Sequence, residues 1–515
     1  MLSRLVRVVA LAIAAAVVLT VTARTSADVD LWGHLRFGLD ILQTRGLEAA
    51  DPYSFTSDRP WINHEWLSEV AIAVAWKIAG APGLIVLKLA CIVAALALMA
   101  STLREQAVTR RPAMMLLGLT LAGILPRATQ VRPQLFSVLL FAALIWSIVR
   151  AGRGSSRRLL WTIPILALWA NLHGGWLVGV ATVGLFCAGE AWARGRVTKA
   201  PSHVLAPLLI AGLATASTLL NPYGVGLWAF LLETVRFGRE GIGEWGPAWR
   251  ERPAMIVWTC FAVLTAMAMR ARVRPSNDQA PDDRHRGNPA WLAIPILWGL
   301  AALRVSRLDA FFAMSVIGLM PGPLVSLLNR RAAASQALSV SWKLGAAAAA
   351  LVLVLCTPTS RKAFTCIGIH PTWPEPRVVD LMRERRLGGR VVTFFDWGEY
   401  AIWNMPLGMK VSMDGRRETV YSERTVASHL QLYLGTERGL SYLRELNADY
   451  IWLPNGLPVE DLLTQRGWRT IFEGPRSVLL SDTRPTSGSL ELTAADTNGI
   501  SAIGANSTQR CFPGP

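Results

Sequence analysis

Runs of 15 to 20 apolar residues recur from the N-terminus to residue 357, and no other feature limits the fold as much. Such a run is about what a helix needs to cross the ~30 Å hydrocarbon layer of a bilayer. Alternation at period two is absent from these runs, so barrel strands are excluded and only helices fit. Spans are expected near 4–23, 83–103, 113–126, 134–149, 159–172, 174–192, 203–220, 253–270, 289–303, 309–328 and 343–357, about eleven transmembrane helices in all. The chain is therefore read as a polytopic α-helical membrane protein. Thr22 and Ala23 would suit a signal-peptide cut. The first run is nevertheless read as an uncleaved span, because an acidic loop follows it at once and needs its anchor.

Arginine and lysine set the orientation. Arg4/Arg7, Arg104/Arg110/Arg111, Arg150/Arg153/Arg157/Arg158, Arg194/Arg196/Lys199, the group from Arg270 to Arg286 and Arg330/Arg331/Lys343 fall on alternate sides of the spans. The positive-inside rule makes those loops cytoplasmic. The net charge of +17 is thus largely a topology signal, and it suits an anionic lipid leaflet. It does not point to nucleic acid, since the arginines are spread over many loops and form no single patch. The N-terminus is then cytoplasmic, and the loop 24–82 and everything after 357 are extracytoplasmic.

Three regions follow. Residues 1–357 form a transmembrane domain, with 24–82 as its first outside loop or cap. Residues 358–482 turn soluble. LGMKVSMDG and DYIWLP read as strands, Thr425–Leu434, Gly439–Leu446 and Val459–Arg466 as helices, and WRTIFEGPRSVLLSD as a hairpin around Gly474-Pro475. Alternating strand and helix signals predict a C-terminal extracytoplasmic α/β domain. Residues 483–515, rich in Ser, Thr, Gly and Asn, read as a disordered tail. Of six cysteines, four lie in or at the ends of spans and read as small apolar residues. Cys366 and Cys511 lie on the oxidising side, where pairing is open to them.

The first outside loop carries the densest chemistry. Between Asp28 and Glu69 it holds Asp28, Asp30, His34, Asp51, Asp58, His64, Glu65 and Glu69. Asp28 and Asp30, two apart beside a low-dielectric surface, can divide acid and base roles or ligate a divalent metal such as Mg or Mn. Helix capping would account for one of them but not both. His34 lies four residues beyond Asp30 on a neighbouring helical face. His64, Glu65 and Glu69 are either metal ligands or hydrogen-bonded packing of the cap. Position 68 is Ser and 69 is Glu, so no H-E-x-x-H motif exists and a zinc protease is disfavoured.

Other outside loops add cations and polar residues. Arg127, Arg132, Arg304 and Arg307 lie on the side the charge rule disfavours, and guanidinium suits phosphate. Salt bridges to Asp309, Glu244 or the cap carboxylates are the competing reading. Asn171 and His173, at a helix corner between Trp169 and Trp176, need partners and are pocket candidates. In the soluble region Asp396, Trp397 and Tyr400 fall near a strand end, where α/β domains place ligands, with Asp414 to Arg417 in a similar position. Trp32 belongs with His34 as a pocket candidate in the first loop.

The order of parts resembles the GT-C superfamily of polyprenyl-phosphate-dependent glycosyltransferases. These parts are a first span, a DxD outside loop with tryptophan and histidine, many spans, outside arginines and then a soluble domain. The superfamily includes protein mannosyltransferases, lipid A aminoarabinose transferases and the catalytic subunit of oligosaccharyltransferase. FFDWGEY (394–400) resembles the oligosaccharyltransferase WWDYG motif, with Phe395 at the second Trp and Trp397 at the Tyr. The block DVDLWGHLRFG…DPYSFT…PWINHEWLSE is similar to one in uncharacterised bacterial GT-C-like membrane proteins. The resemblance implies an inverting transferase of the bacterial inner membrane. Its donor would be a sugar on polyprenyl phosphate or diphosphate, and its acceptor an extracytoplasmic glycan, lipid or protein. Asp28 or Asp30 would be base or metal ligand, and the outside arginines would hold the lipid phosphate. The alternative is a non-catalytic scaffold or lipid-binding component of envelope assembly. A transporter is disfavoured, because the spans hold almost no acids near their midpoints.

Overall fold

The computed structural model describes residues 18, 20–152, 156–197, 201–236, 243–273, 288–326, 362–482 and 510–514. Most of the first expected span, the whole of the last (343–357) and positions 483–509 of the tail lie outside the described residues. The chain divides into two compact units. One comprises Met1–Arg24, Ile85–Leu231 and Arg239–Thr365; the other comprises Thr25–Leu84, Leu232–Gly238 and Cys366–Pro515.

The first unit is helical. Helices occupy Arg110–Ile124, Gln134–Gly152, Thr162–Leu172, Trp176–Gly195, Pro201–Ser217, Arg252–Val273, Ala290–Arg304 and Asp309–Leu319. A further helical run, Trp66–Glu105, is two helices. Ala79 and Gly80 leave helical geometry, with Gly80 at φ 59°, and Pro82 opens the second piece. That break separates the end of the first outside loop (24–82) from the stretch read as spanning (83–103). Among the described residues four helices are long and apolar enough to cross a membrane: Trp66–Glu105, Gln134–Gly152, Trp176–Gly195 and Arg252–Ala271. The chain is a helical membrane protein. Lipid is as apolar as a leucine side chain, so such helices associate through close packing and a few polar contacts. Here Trp298 Nε1 donates to Thr182 Oγ1 at 3.0 Å and Gln106 Nε2 donates to the Gly318 carbonyl at 2.7 Å. Phe311 packs on Phe141 and Trp169 in the core, with ring centroids 5.0 and 6.3 Å away. Val225–Arg236, expected to be loop, is also helical. Its apolar stretch is too short to have been read as a span.

The second unit joins the first outside loop to the C-terminal residues. Its main sheet has the order β4-β3-β5-β7-β6, where β3 is Gly389–Thr393, β4 Met409–Val411, β5 Tyr450–Pro454, β6 Arg469–Glu473 and β7 Ser477–Ser481. β3 pairs in parallel with β4 and β5, whereas β7 is antiparallel to both β5 and β6. Helices Pro376–Glu384, Glu423–Tyr433 and Glu437–Leu446 accompany it, and Val392, Ile451, Leu453, Leu463 and Leu480 form its core. The first loop is woven into this unit. Thr25–Ser26 (β1) pairs in parallel with Ile367–Gly368 (β2). Val411 N donates to the Tyr53 carbonyl and Phe55 N to the Val411 carbonyl, at 3.0 and 3.1 Å. Asp58 accepts from Ser422 N at the start of Glu423–Tyr433, at 2.7 Å. The loop 24–82, grouped with the spans on sequence alone, therefore folds with residues from 366 onward. Backbone pairing across hundreds of residues leaves no local mark.

The end of the chain corrects the reading of a tail disordered throughout. Cys511 is bridged to Cys366, 145 residues away, and Phe512 is 3% exposed. Phe512 packs on Trp32 and Trp76, with centroids at 5.2 and 5.4 Å. Closing so long a loop removes entropy from the unfolded chain, and loss of such a bridge costs about 2–5 kcal/mol. Cys511→Ser is expected to lower the thermal midpoint of the purified protein and to abolish its sensitivity to reductant. An unchanged midpoint under reducing conditions would remove the bridge from the account of this unit's stability.

Candidate functional site

Asp30 precedes the helix Leu31–Thr44, yet its side chain makes no capping hydrogen bond there. It points instead at the turn Asp414-Gly415. A Cβ on Gly415 would lie 2.2 Å from Asp30 Oδ1 and 2.9 Å from Glu399 Oε1, so the two carboxyls converge on one backbone position and would have to shift to admit a side chain there. Glu399 is 2% exposed, and its Oε2 accepts from the Gly33 amide at 3.1 Å. Burial, followed by the neighbouring charges of Asp30 and Asp414, pushes the Glu399 carboxyl well above its usual range. A half-buried aspartate thus faces a buried glutamic acid whose protonated form burial favours. Asp28 is close by in sequence and 5% exposed.

A buried ion cluster supports this turn. Arg416 donates to Asp51 through Nη1 and Nη2, both at 2.8 Å, and to Asp414 through Nε and Nη2 at 2.9 and 2.7 Å. Tyr421 adds a hydroxyl to Asp414 at 2.8 Å. The guanidinium lies over Trp61 and Phe37, 4.8 and 5.0 Å from the ring centres. These contacts fix Asp414 and therefore the Gly415 backbone.

The remaining first-loop candidates divide between cluster and packing. His34 Nδ1 is 3.3 Å from Glu69 Oε1, and Asn63 Nδ2 donates to Glu69 Oε2 at 2.6 Å. Burial alone would lower the His34 imidazole. The hydrogen bond to Glu69, with Glu65, Glu69 and Asp30 nearby, outweighs it and takes the group to about 9. A group raised from about 6.5 to about 9 contributes stability fully below pH 6.5, and that contribution is lost as pH rises through 9. For so buried a residue the contribution is on the order of 3 kcal/mol. His34→Gln is expected to remove the corresponding slope when unfolding is compared with wild type between pH 6 and pH 10. Parallel curves would refute the buried His34–Glu69 pair as an ionic one. His64 Nε2 lies 3.7 Å from Glu65 Oε1.

Trp32 and the FFDWGEY residues sit differently from a ligand pocket. Trp32 is fully buried, donates Nε1 to the Pro513 carbonyl at 2.9 Å and packs on Trp373 and Tyr400. Tyr400 and Trp397 are 1% and 5% exposed and pack against Trp452. Asp396 faces solvent. The motif's inward acid is Glu399, which sequence reasoning left out of the candidate set. Among the described residues no three His, Cys, Asp or Glu side chains are grouped to hold a metal ion.

The outside arginines form a second cluster, in the helical unit. Arg127 Nε and Nη2 donate to the two oxygens of Asp309, both at 3.0 Å, and Nη2 also reaches the Ser306 carbonyl at 2.8 Å. Glu244 receives Arg127 at 3.3 Å, Arg132 at 3.3 Å and Arg307 at 3.8 Å. The Arg307 guanidinium lies 4.4 Å over the Trp245 ring, and Arg304 is exposed. Burial alone would raise the Glu244 carboxyl. Arg307, Arg132, Arg127 and His173 together hold it below the usual carboxylate range. The hydrogen bonds at the corner fix the His173 tautomer. Trp169 Nε1 can only donate, and does so to Ser137 Oγ at 2.7 Å. Gly175 N donates to His173 Nδ1 at 3.1 Å, so Nδ1 is an acceptor and the Ser137 hydroxyl donates to it at 2.6 Å. A neutral His173 carries its proton on Nε2. Asn171 Nδ2 donates to the Leu220 and Ala167 carbonyls, both at 2.8 Å, and so ties a helix end in place.

No protein-family model matches this sequence, and no curated protein matches it. The fold, however, is similar to that of several solved membrane glycosyltransferases. Among solved structures, the archaeal oligosaccharyltransferase AglB from Archaeoglobus fulgidus, in complex with an inhibitory peptide and a dolichol-phosphate, is similar with a TM-score of 0.57 at 12% identity, over 86% of this chain and 69% of that one. Mycobacterial arabinofuranosyltransferase AftD is similar with a TM-score of 0.53 at 14% identity, over 93% of this chain and 41% of that one. ArnT from Cupriavidus metallidurans in the apo state gives 0.52 at 12% identity, over 91% and 96%. At such identities the likeness is one of fold.

Proposed function

We propose that this protein is an inverting glycosyltransferase that moves a sugar from a polyprenyl phosphate or diphosphate to an extracytoplasmic acceptor. The observation that carries the reading is the convergence of the first-loop carboxylate of Asp30 with the buried carboxyl of Glu399 at Gly415. In the reaction, an acceptor O–H or N–H gives its proton to Asp30 as the heteroatom attacks the sugar's anomeric carbon. The bond from that carbon to the phosphate oxygen breaks, and its electron pair leaves with the lipid phosphate. Negative charge then grows on the phosphate, and Arg132, Arg307, Arg304 and Arg127 stabilise it. A Mg or Mn ion would add to Asp28 and Asp30 as ligands and polarise the acceptor; every step above is written without it. The N-terminus is placed in the cytoplasm and the second unit outside a bacterial inner membrane, which the arginine loops and the Cys366–Cys511 bridge support. The acceptor is a glycan, lipid or protein selected by the second unit.

The test is transfer from radiolabelled polyprenyl-linked sugars into a membrane extract, with and without chelator. Wild type is compared with Asp28→Asn and Asp30→Asn. Turnover that survives in both variants would remove the base assignment. Absence of turnover with every donor would favour a lipid-binding scaffold, a reading to which the existing Arg127–Asp309 and Arg132–Glu244 pairs lend weight.

A further inference from the structure

We propose that Glu244 occupies the position of the donor's phosphate, so that a phosphate ester binds this protein by displacing the Glu244 carboxylate from its arginines. The inference rests on the donor-phosphate reading above and deepens it.

The two acids of the cluster are held in unlike ways. Asp309 is 2% exposed and takes both arms of Arg127 at 3.0 Å, a fork-to-fork pair that is part of the scaffold. Glu244 has no such pair. Its three arginine contacts are single and long, at 3.3, 3.3 and 3.8 Å, and its side chain is 23% exposed. One partly exposed carboxylate among three guanidinium groups and His173 is where a phosphate would be most strongly attracted. Three arginines against Asp309 alone leave two positive charges, which match a phosphate ester.

The cluster is also built to survive the exchange. Arg127 is kept in place by Asp309 and the Ser306 carbonyl, and Arg307 by the Trp245 ring. Glu244 lies in the short helical turn Gly243–Trp245. Its backbone carbonyl accepts from Ser306 Oγ at 3.0 Å, and the Gly246 carbonyl accepts from Ser306 N at 3.0 Å. The carboxylate can therefore swing away by side-chain rotation while the backbone stays anchored. After transfer, its return to the arginines competes with the product phosphate and promotes release.

The experiment measures binding of undecaprenyl phosphate to the full-length protein in nanodiscs, with undecaprenol and inorganic phosphate as comparison probes. Glu244→Gln keeps the shape and removes the competing charge. It is expected to bind undecaprenyl phosphate about tenfold more tightly than wild type, the equivalent of one lost ion pair. Undecaprenol binding should not change. Inorganic phosphate should gain in the same direction, which would assign the effect to the phosphate group, whereas a gain for undecaprenol alone would assign it to lipid access and overturn the proposal. Arg307→Gln should weaken phosphate binding in either background. If Glu244→Gln does not fold, Glu244→Asp carries the test: its shorter reach gives a smaller gain of the same sign. Equal or weaker binding by a folded Glu244→Gln overturns the Glu244 inference alone. Failure of both wild type and variant to bind undecaprenyl phosphate overturns the donor-phosphate reading with it.

Discussion

Arg416→Met is expected to destabilise the second unit by about 3–5 kcal/mol, because it strands two buried carboxylates. Arg416 is 6% exposed at its side chain, and its partners Asp51 and Asp414 are fully buried. Methionine keeps most of the contact with Trp61 and Phe37, so the loss would come mainly from charge. The design of the test follows from that separation. Adding Asp51→Asn and Asp414→Asn to Arg416→Met removes the stranded charges and should recover a large part of the loss, since a buried ion group replaced as a whole costs far less than one that is broken. Thermal unfolding of the purified full chain, with hydrogen exchange followed at Tyr53–Trp61, would measure both steps. A loss below about 1 kcal/mol in Arg416→Met, which is within the range of a surface pair, would show that the cluster is solvated and does not hold Gly415 in place.

The sequence showed local elements and hid what long-range pairing decides. Tyr450–Pro454 lies where DYIWLP reads as a strand, and β6 and β7 flank Gly474-Pro475 as the hairpin reading expects. Those signals are short-range: β-branched and aromatic runs, and a glycine beside a proline at a corner. The strand order is not of this kind, since β4-β3-β5-β7-β6 depends on pairings between distant segments. Membership of the first loop in the second unit is equally non-local.

The candidate site was legible in its residue types and less so in its partners. Asp30 stood out because capping could explain only one of two aspartates. Its neighbour Glu399 did not, because the Gly33–Glu399 contact joins positions 366 apart. Within FFDWGEY the exposed Asp396 drew attention as an acid beside aromatics, while the helix Gly398–Asn404 turned Glu399 inward. Trp32, Trp397 and Tyr400 show a general difficulty. An aromatic residue looks the same in a sequence whether it lines a pocket or fills a core, and here burial puts these three in a core. The arginines carried both readings from the start. Salt bridges to Glu244 and Asp309 are formed, and a phosphate role now requires one of them to be given up.

Asp30→Asn is expected to lower the turnover number by about 10²–10⁴, the usual contribution of a general base. Asparagine is nearly isosteric, so the convergence at Gly415 and the Glu399–Gly33 hydrogen bond should persist and the fold should be intact. What disappears is the basic carboxylate that takes the acceptor's proton. Donor binding is a separate matter, because on this reading the lipid phosphate is held by arginines. The loss should therefore fall on kcat and leave the apparent affinity for the polyprenyl donor nearly unchanged. A mainly structural role would move both together, along with the melting temperature. Glu399 sharpens the case. Burial favours its protonated form, which limits the negative charge it sets beside Asp30. Asp28→Asn provides the comparison, since Asp28 is nearly buried two residues earlier. If Asp28→Asn costs more than Asp30→Asn, the base is Asp28, and the convergence of Asp30 with Glu399 positions the first loop without taking the proton.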